Sequence, residues 1–189
     1  MSQTTSITLI EKLKNNRPDG WNRFNGLYGP LVGCWFRSAK VQESDIPDLV
    51  QKVFCVVLDK VNDFHKVKPE DTFRGWLRVI ARNITKAHFR EFERHHPAEG
   101  GSDANVLLQN LPAPEDESDD PPEEKAALLH RAFEFIKGEF SNLQIGVFHK
   151  WSEGKTFDEI AAEVGTTAVN ARQIKARVMK RIREELGDD

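Results

Sequence analysis

Between Thr72 and Arg94 the chain reads TFRGWLRVIARNITKAHFREFER, and this stretch constrains the fold more than any other. Arg74, Arg78, Arg82, Lys86, Arg90 and Arg94 recur every fourth residue. On a helix that spacing sets successive cations side by side, in a strip that winds slowly around the axis. Phe73, Leu77, Ile80, Ile84 and Ala87 fall on another face at helical spacing, which suits packing on a core. The spacing therefore predicts one helix with a buried seam and a cationic ridge. Like charges at i,i+4 cost roughly 0.2–0.5 kcal/mol per pair, and a polyanion laid along the ridge would remove that repulsion. Trp76 and Phe89 add flat rings suited to stacking on exposed bases. A solvated helix face with core aromatics is the plainer alternative.

The full chain has 189 residues, enough for one ordinary domain or two small ones. Hydrophobic residues make up 39% and charged residues 30%, the balance of a helix-rich globular protein rather than a disordered one. The net charge of −3 argues against a polyanion partner only if the charges are evenly spread. They are not, because Glu115, Asp116, Glu117, Asp119, Asp120, Glu123 and Glu124 form one acidic block. Without it both flanking parts are more basic. Cys34 and Cys55 stand among apolar neighbours and make no CxxC pair, so buried free thiols and a reducing cytoplasm are expected. The N-terminal segment lacks the apolar core of a signal peptide, and no run approaches the ~20 apolar residues of a membrane span.

A short helix is expected from Thr8 to Asn15, with Ile7, Ile10 and Leu13 along it, and a turn at Arg17-Pro18-Asp19-Gly20. Trp21, Phe24, Leu27, Tyr28, Leu31, Val32 and Trp35 then mark a longer helix that Gly29-Pro30 could kink. Ser44-Asp45 is placed to cap a helix over Ile46 to Val61, with Leu49, Val53, Phe54, Val57 and Leu58 as its core stripe. Asp48, Gln51, Lys52 and Asp59 lie off that stripe. The polar NDFHKVKPED segment reads as a loop, and Asp71-Thr72 caps the cationic helix. From His95 to Glu123 the chain is rich in proline and acid, and it reads as an extended linker that solubilises or screens the cationic surface. Helix resumes from Glu124 to Lys137 and again from Ser141 to Trp151, where Leu143, Ile145, Val147, Phe148 and Trp151 form the apolar set.

The last stretch carries the sharpest pattern. Thr156 to Glu159 is a capping box, Gly165 stands where a left-handed stop is needed, and Thr166-Thr167 supplies the turn and next cap. Ala168 to Leu186 follows as a basic helix with Val169, Ile174, Val178, Ile182 and Leu186 apolar. Arg172, Gln173, Lys175, Arg177, Lys180, Arg181 and Arg183 supply its polar faces. A short support helix, a glycine turn and a basic second helix make a helix-turn-helix pattern. Thr167, Asn170, Arg172 and Gln173 sit at the end that enters a major groove, where paired hydrogen bonds read base edges. Lys175, Arg177 and Lys180 are placed for phosphates. A solvated C-terminal helix is the alternative.

Taken together, DLVQKVF, then TFRGWLRVIARNITKAHFR, an acidic linker and a C-terminal helix-turn-helix resemble a bacterial RNA polymerase sigma factor of the extracytoplasmic function (ECF) class. The resemblance implies an all-α chain of two small helical domains joined by a flexible acidic linker: residues 1–94 as region two, 95–123 as linker and 124–189 as region four. It implies that Asp48, Leu49, Gln51, Lys52 and Phe54 dock on core RNA polymerase. It further implies that Arg74, Trp76, Arg78, Arg82, Asn83, Lys86 and Arg90 lie near the −10 element and open it, holding a flipped base at an unstacking cost offset by stacking. The second helix of the C-terminal motif would read the −35 element. Lys52 departs from the acidic residue common there, and Ala176 stands where serine is common, which puts docking strength and one DNA contact in question. Promoter DNA and core RNA polymerase are the partners implied, with an anti-sigma protein as a third. No cofactor and no metal are implied, and no catalytic chemistry of the chain's own.

An ordinary helix-turn-helix regulator accounts for the C-terminal half but leaves the docking helix and the aromatic-basic helix unexplained. An enzyme finds less support. His65, His88, His95, His96, His130 and His149 are scattered, and no catalytic pair or phosphate-cradling glycine loop is present in the sequence.

Overall fold

The structure is a computed structural model that describes residues 8–65, 67, 71–95 and 120–187. Every regular element among them is helical, so the described part of the chain is all-α. Helix α1 (Leu9–Lys14) opens on a full capping box, with Thr8 and Glu11 each accepting from the other's backbone N–H. Asn16, with φ of 49°, turns the chain in the left-handed region that asparagine tolerates. Helix α2 (Pro18–Ser38) then starts earlier than its sequence suggests. The expected turn at Arg17–Gly20 is instead its first turn, because Pro18 at the first helical position has its φ preset and lacks only an N–H that would have no intrahelical partner. The helix also runs unbroken through Pro30.

Helix α3 (Ile46–Lys60) is preceded by Asp45, whose side chain makes no capping bond and instead accepts from the Ser44 hydroxyl. A 3-10 turn (Val61–Asp63) follows. Helix α4 (Phe73–His95) is the expected cationic helix, capped by Thr72, whose Oγ1 accepts from the Gly75 N–H at 3.0 Å. The expected linker lies outside the described residues over 96–119. At its ends helix takes more than expected, since α4 reaches His95 and α5 (Pro122–Ile136) begins on Pro122. A second 3-10 turn (Lys137–Glu139) leads to α6 (Asn142–Ser152), capped reciprocally by Ser141 and Gln144. Helices α7 (Phe157–Val164) and α8 (Ala168–Leu186) complete the described chain.

The apolar stripes of α1–α4 converge on an aromatic cluster. Phe24 lies 4.7 Å from Phe54, and Phe73 lies 5.5 Å from both Tyr28 and Phe64, ring to ring. Residues 122–186 build their own focus, where Phe133 stacks on Phe148 at 4.0 Å. Burying each such ring contributes about 1.5–3 kcal/mol. The two foci merge into one continuous core, because α2 packs on α5 and the end of α8 reaches α1. Gly187 makes that junction possible. It ends α8 in the left-handed region at φ 73°, and a Cβ there would stand 2.7 Å from Ile10 Cδ1.

Several expected core positions face outward. Leu58 is 52% exposed and Leu143, Val169 and Ala87 are also exposed, while Cys55 is exposed and Cys34 half-buried as free thiols. Each sits at the edge of its helical stripe, where three- and four-residue spacings continue past the buried arc. On α4 the seam is completed by Ala81 and Thr85 instead of Ala87. Thr85 tolerates burial because its hydroxyl donates to the Ala81 carbonyl at 2.9 Å. Ile7 lies outside the described residues. No helix among the described residues is long and apolar enough to cross a membrane.

Candidate nucleic-acid interface

Helix α4 divides its cations by their surroundings. Arg82 and Lys86 are half-buried, and Asn83, Arg90 and Arg94 are exposed. Arg74 and Arg78, at its N-terminal end, turn toward Asp120. Asp120 Oδ1 accepts from an Arg78 terminal nitrogen at 3.0 Å and from the Trp35 indole N–H at 2.6 Å, and its Oδ2 lies 3.6 Å from Arg74. Asp120 is only 3% exposed. The expected flat rings are differently disposed. Trp76 is half-buried against Phe64 and Phe73, at 5.2 and 5.5 Å, and Phe89 is half-buried beside His88. Both rings pack against the edge of the core instead of standing free on the helix surface.

The expected docking residues on α3 split in the same way. Asp48, Gln51 and Lys52 are exposed, whereas Leu49 is 2% exposed and Phe54 packs on Phe24. Asp45, Asp48, Leu49, Lys52, His88 and Phe92 line a shallow groove of about 360 Å³ between α3 and α4. Phe92, on its rim, is 44% exposed.

The α7–α8 corner follows its sequence pattern closely. Thr156 and Glu159 form the reciprocal cap of α7, and Gly165 closes it at φ 70°. Thr167 Oγ1 then accepts from the Asn170 N–H, and the Asn170 side chain donates to Thr166 Oγ1 at 2.8 Å. Ala171, Ile174 and Val178 anchor the inner face of α8, leaving Arg172, Gln173 and Arg177 exposed. Two cations are steadied by aromatic rings on neighbouring helices. The Arg172 guanidinium stands 5.4 Å over Phe157 and the Lys175 ammonium 4.6 Å over Trp151. On the flank of α7, Glu163 accepts from both Lys150 and Lys155. These bonds, Lys150's first, hold its carboxyl down to about 2.

Arg181, expected on the polar face, is instead part of the framework. Two of its nitrogens bond Glu139 at 2.8 Å each, and one reaches Glu185 at 3.2 Å. Glu185 is 1% exposed and also accepts from Arg23 of α2 at 2.6 Å. Sequence reasoning missed Asp120, Trp35 and exposed Val169. Asp120 directly precedes the Pro121-Pro122 pair that starts α5, and that proximity to a helix start was the available signal. Among the described residues, no group of His, Cys, Asp and Glu is arranged to hold a metal ion. No family model matches the chain, and no curated protein matches it either.

Proposed function

We propose that the chain is a promoter-specificity subunit of the ECF sigma type, which binds core RNA polymerase and carries it to chosen promoters. The observation that carries this reading is the α7–α8 corner. A capped short helix, a left-handed glycine and a capped basic helix leave Arg172 and Gln173 outward, near the start of α8. A helix presented in that way fits a major groove, and those two side chain types pair with guanine and adenine edges. Lys175 and Arg177 suit the flanking phosphates, and exposed Val169 suits a thymine methyl. Along α4, the cations from Arg74 to Arg90 would bear on the second promoter element, which they help to open. Asp48, Gln51 and Lys52 on α3 would face the polymerase. The domain division at 1–94, 95–123 and 124–189 belongs to this reading, with the acidic segment letting the two DNA-facing parts separate and bind jointly. The reading also puts the chain in the cytoplasm, with an anti-sigma protein as a third partner and no chemistry of its own.

Run-off transcription tests this directly. Core polymerase with the full chain is expected to start at new, mappable sites that core alone does not use. Failure to start anywhere new would overturn the reading.

One observation favours a second reading. The continuous core and the Arg23–Glu185 and Tyr28–Leu186 contacts suit a DNA-binding regulator that works in one piece, without polymerase. Co-elution with core polymerase at moderate salt separates the two, since only the sigma reading requires it.

A further inference from the structure

We infer that Phe157, the first residue of α7, is a positioning residue for base reading: its ring holds the Arg172 guanidinium near the start of α8 and so sets how strongly one guanine is preferred. This rests on the nucleic-acid reading above and adds to it a residue that governs specificity from behind the reading side chain.

The Arg172 guanidinium stands 5.4 Å over the Phe157 ring. Arg172 is exposed, and among the described residues this ring is the partner that the structure gives it. Farther along the same helix, Arg181 is held in another way, by Glu139 and Glu185. The difference matters for recognition. A carboxylate occupies the N–H donors of a guanidinium, whereas a ring attracts the cation through its face and leaves those donors unused. Arg172 is thus restrained while the donor edge that matches O6 and N7 of guanine stays available. Both partners stand on fixed backbone. Phe157 is half-buried against the core, and the reciprocal Thr156–Glu159 cap fixes the turn that carries it. Beside Arg172, the buried Ala171 and Ile174 anchor α8. An unrestrained arginine gives up many rotamers when it engages a base, and a contact that removes them beforehand strengthens the engagement. Gln173, the exposed neighbour, carries no charge to draw it to a ring face. The guanine preference of Arg172 therefore depends on Phe157, while the preference set by Gln173 does not.

The test uses the full chain and a randomised duplex DNA library. Wild type selects its preferred duplex, and Arg172→Ala marks the base pair that Arg172 reads, because the guanine preference vanishes there. Anisotropy is then measured on that duplex with each base pair changed in turn. Phe157→Leu is expected to cut the guanine preference at the marked base pair about two- to fivefold, the equivalent of one exposed cation–π contact. Preferences at the other base pairs should stay as in wild type, which a merely loosened corner would not allow. Phe157→Tyr, which keeps a ring, should keep the guanine preference. Phe157→Leu added to Arg172→Ala should cost nothing more at the marked base pair. In the free protein, Phe157→Leu should also shift the NMR resonances of the Arg172 side chain, by removing the ring current. If Phe157→Leu does not fold, Phe157→Met takes its place, filling the space without a ring. Arg172 resonances that do not move would overturn the proposal whether or not DNA binds. So would a guanine preference kept in Phe157→Leu, an equal loss at every base pair, or an Arg172→Ala variant with no preference changed. If the resonances move but wild type selects no sequence from the library, the nucleic-acid reading falls and the positioning role falls with it.

Discussion

The phenol of Tyr28 donates a hydrogen bond to the main-chain carbonyl of Leu186 at 2.6 Å, out of reach of solvent. The two residues are 158 positions apart in the chain. The carbonyl is one of those at the end of α8 that have no intrahelical donor, and Tyr28 answers it from the middle of α2. The end of the last helix is thereby tied into the aromatic cluster of the first helices, next to the point where Gly187 meets Ile10.

Replacing Tyr28 by Phe keeps the ring and leaves that carbonyl buried without its donor. The expected cost is about 1–3 kcal/mol, since an unmet buried acceptor loses its full solvation. Urea unfolding of the variant should show a lower midpoint with an unchanged slope. An unchanged midpoint would mean that the α2–α8 junction adds nothing to stability.

Glu185 makes the neighbouring tie. Its carboxylate is 1% exposed and lies between Arg23 and Arg181, whose side chains are 24% and 12% exposed. Glu185→Gln removes the charge and turns one acceptor into a donor that faces guanidinium groups. Arg181 keeps Glu139 as a partner, so the loss should fall at the lower end of the range for broken buried pairs, at about 3 kcal/mol. If the two junction contacts act together, the cost of Tyr28→Phe measured in the Glu185→Gln background will differ from its cost in the wild type.

How much of this was legible beforehand depended on how local the cause was. The caps at Thr156 and Thr167 and the glycine stop at Gly165 were readable, because each is settled within a few residues. The ridge and seam of α4 were readable from spacing alone. What spacing does not hold is which neighbour a polar side chain meets. Arg181 and Arg172 look alike in a basic helix, yet one is locked between two glutamates and the other is open to a partner. Asp120 read as one more acid in a run of acids. Only the approach of α5 to α2 and α4 makes it a buried partner of Trp35, Arg74 and Arg78. The edges of apolar stripes were misjudged for the same reason, as exposed Leu58 and Cys55 show.

Glu163 gives the fold a pH signature. Lys150 and Lys155 lower its carboxyl from the ordinary 4.5 to about 2. A depressed carboxyl stabilises the fold fully above its unfolded value and loses that contribution as pH falls through the folded value. The window is therefore about pH 4.5 down to about 2. Carboxyl NMR should show Glu163 titrating near the bottom of that range, and Glu163→Gln should flatten the acid limb of stability there. The group is solvent-facing, so the effect should also shrink in high salt. A Glu163 midpoint near 4.5 would show that the two lysines do not hold it.

On α8 the proposed division of labour predicts two different failures. Arg172 and Gln173 are exposed near the start of the helix, where a groove-bound helix meets base edges. Changing both to Ala should relax promoter choice, at about 1–3 kcal/mol of discrimination for each bidentate side chain–base pair removed. Lys175 lies over the ring of Trp151, which holds its ammonium in place. Trp151→Leu keeps an apolar side chain on α6 but removes the ring, so Lys175 should bind phosphate less well whatever the sequence. Competition binding across −35 variants distinguishes the two. The double variant should flatten the ranking of sequences, and Trp151→Leu should weaken all of them together with the ranking kept. A ranking unchanged in the double variant would mean that base reading resides elsewhere on the chain.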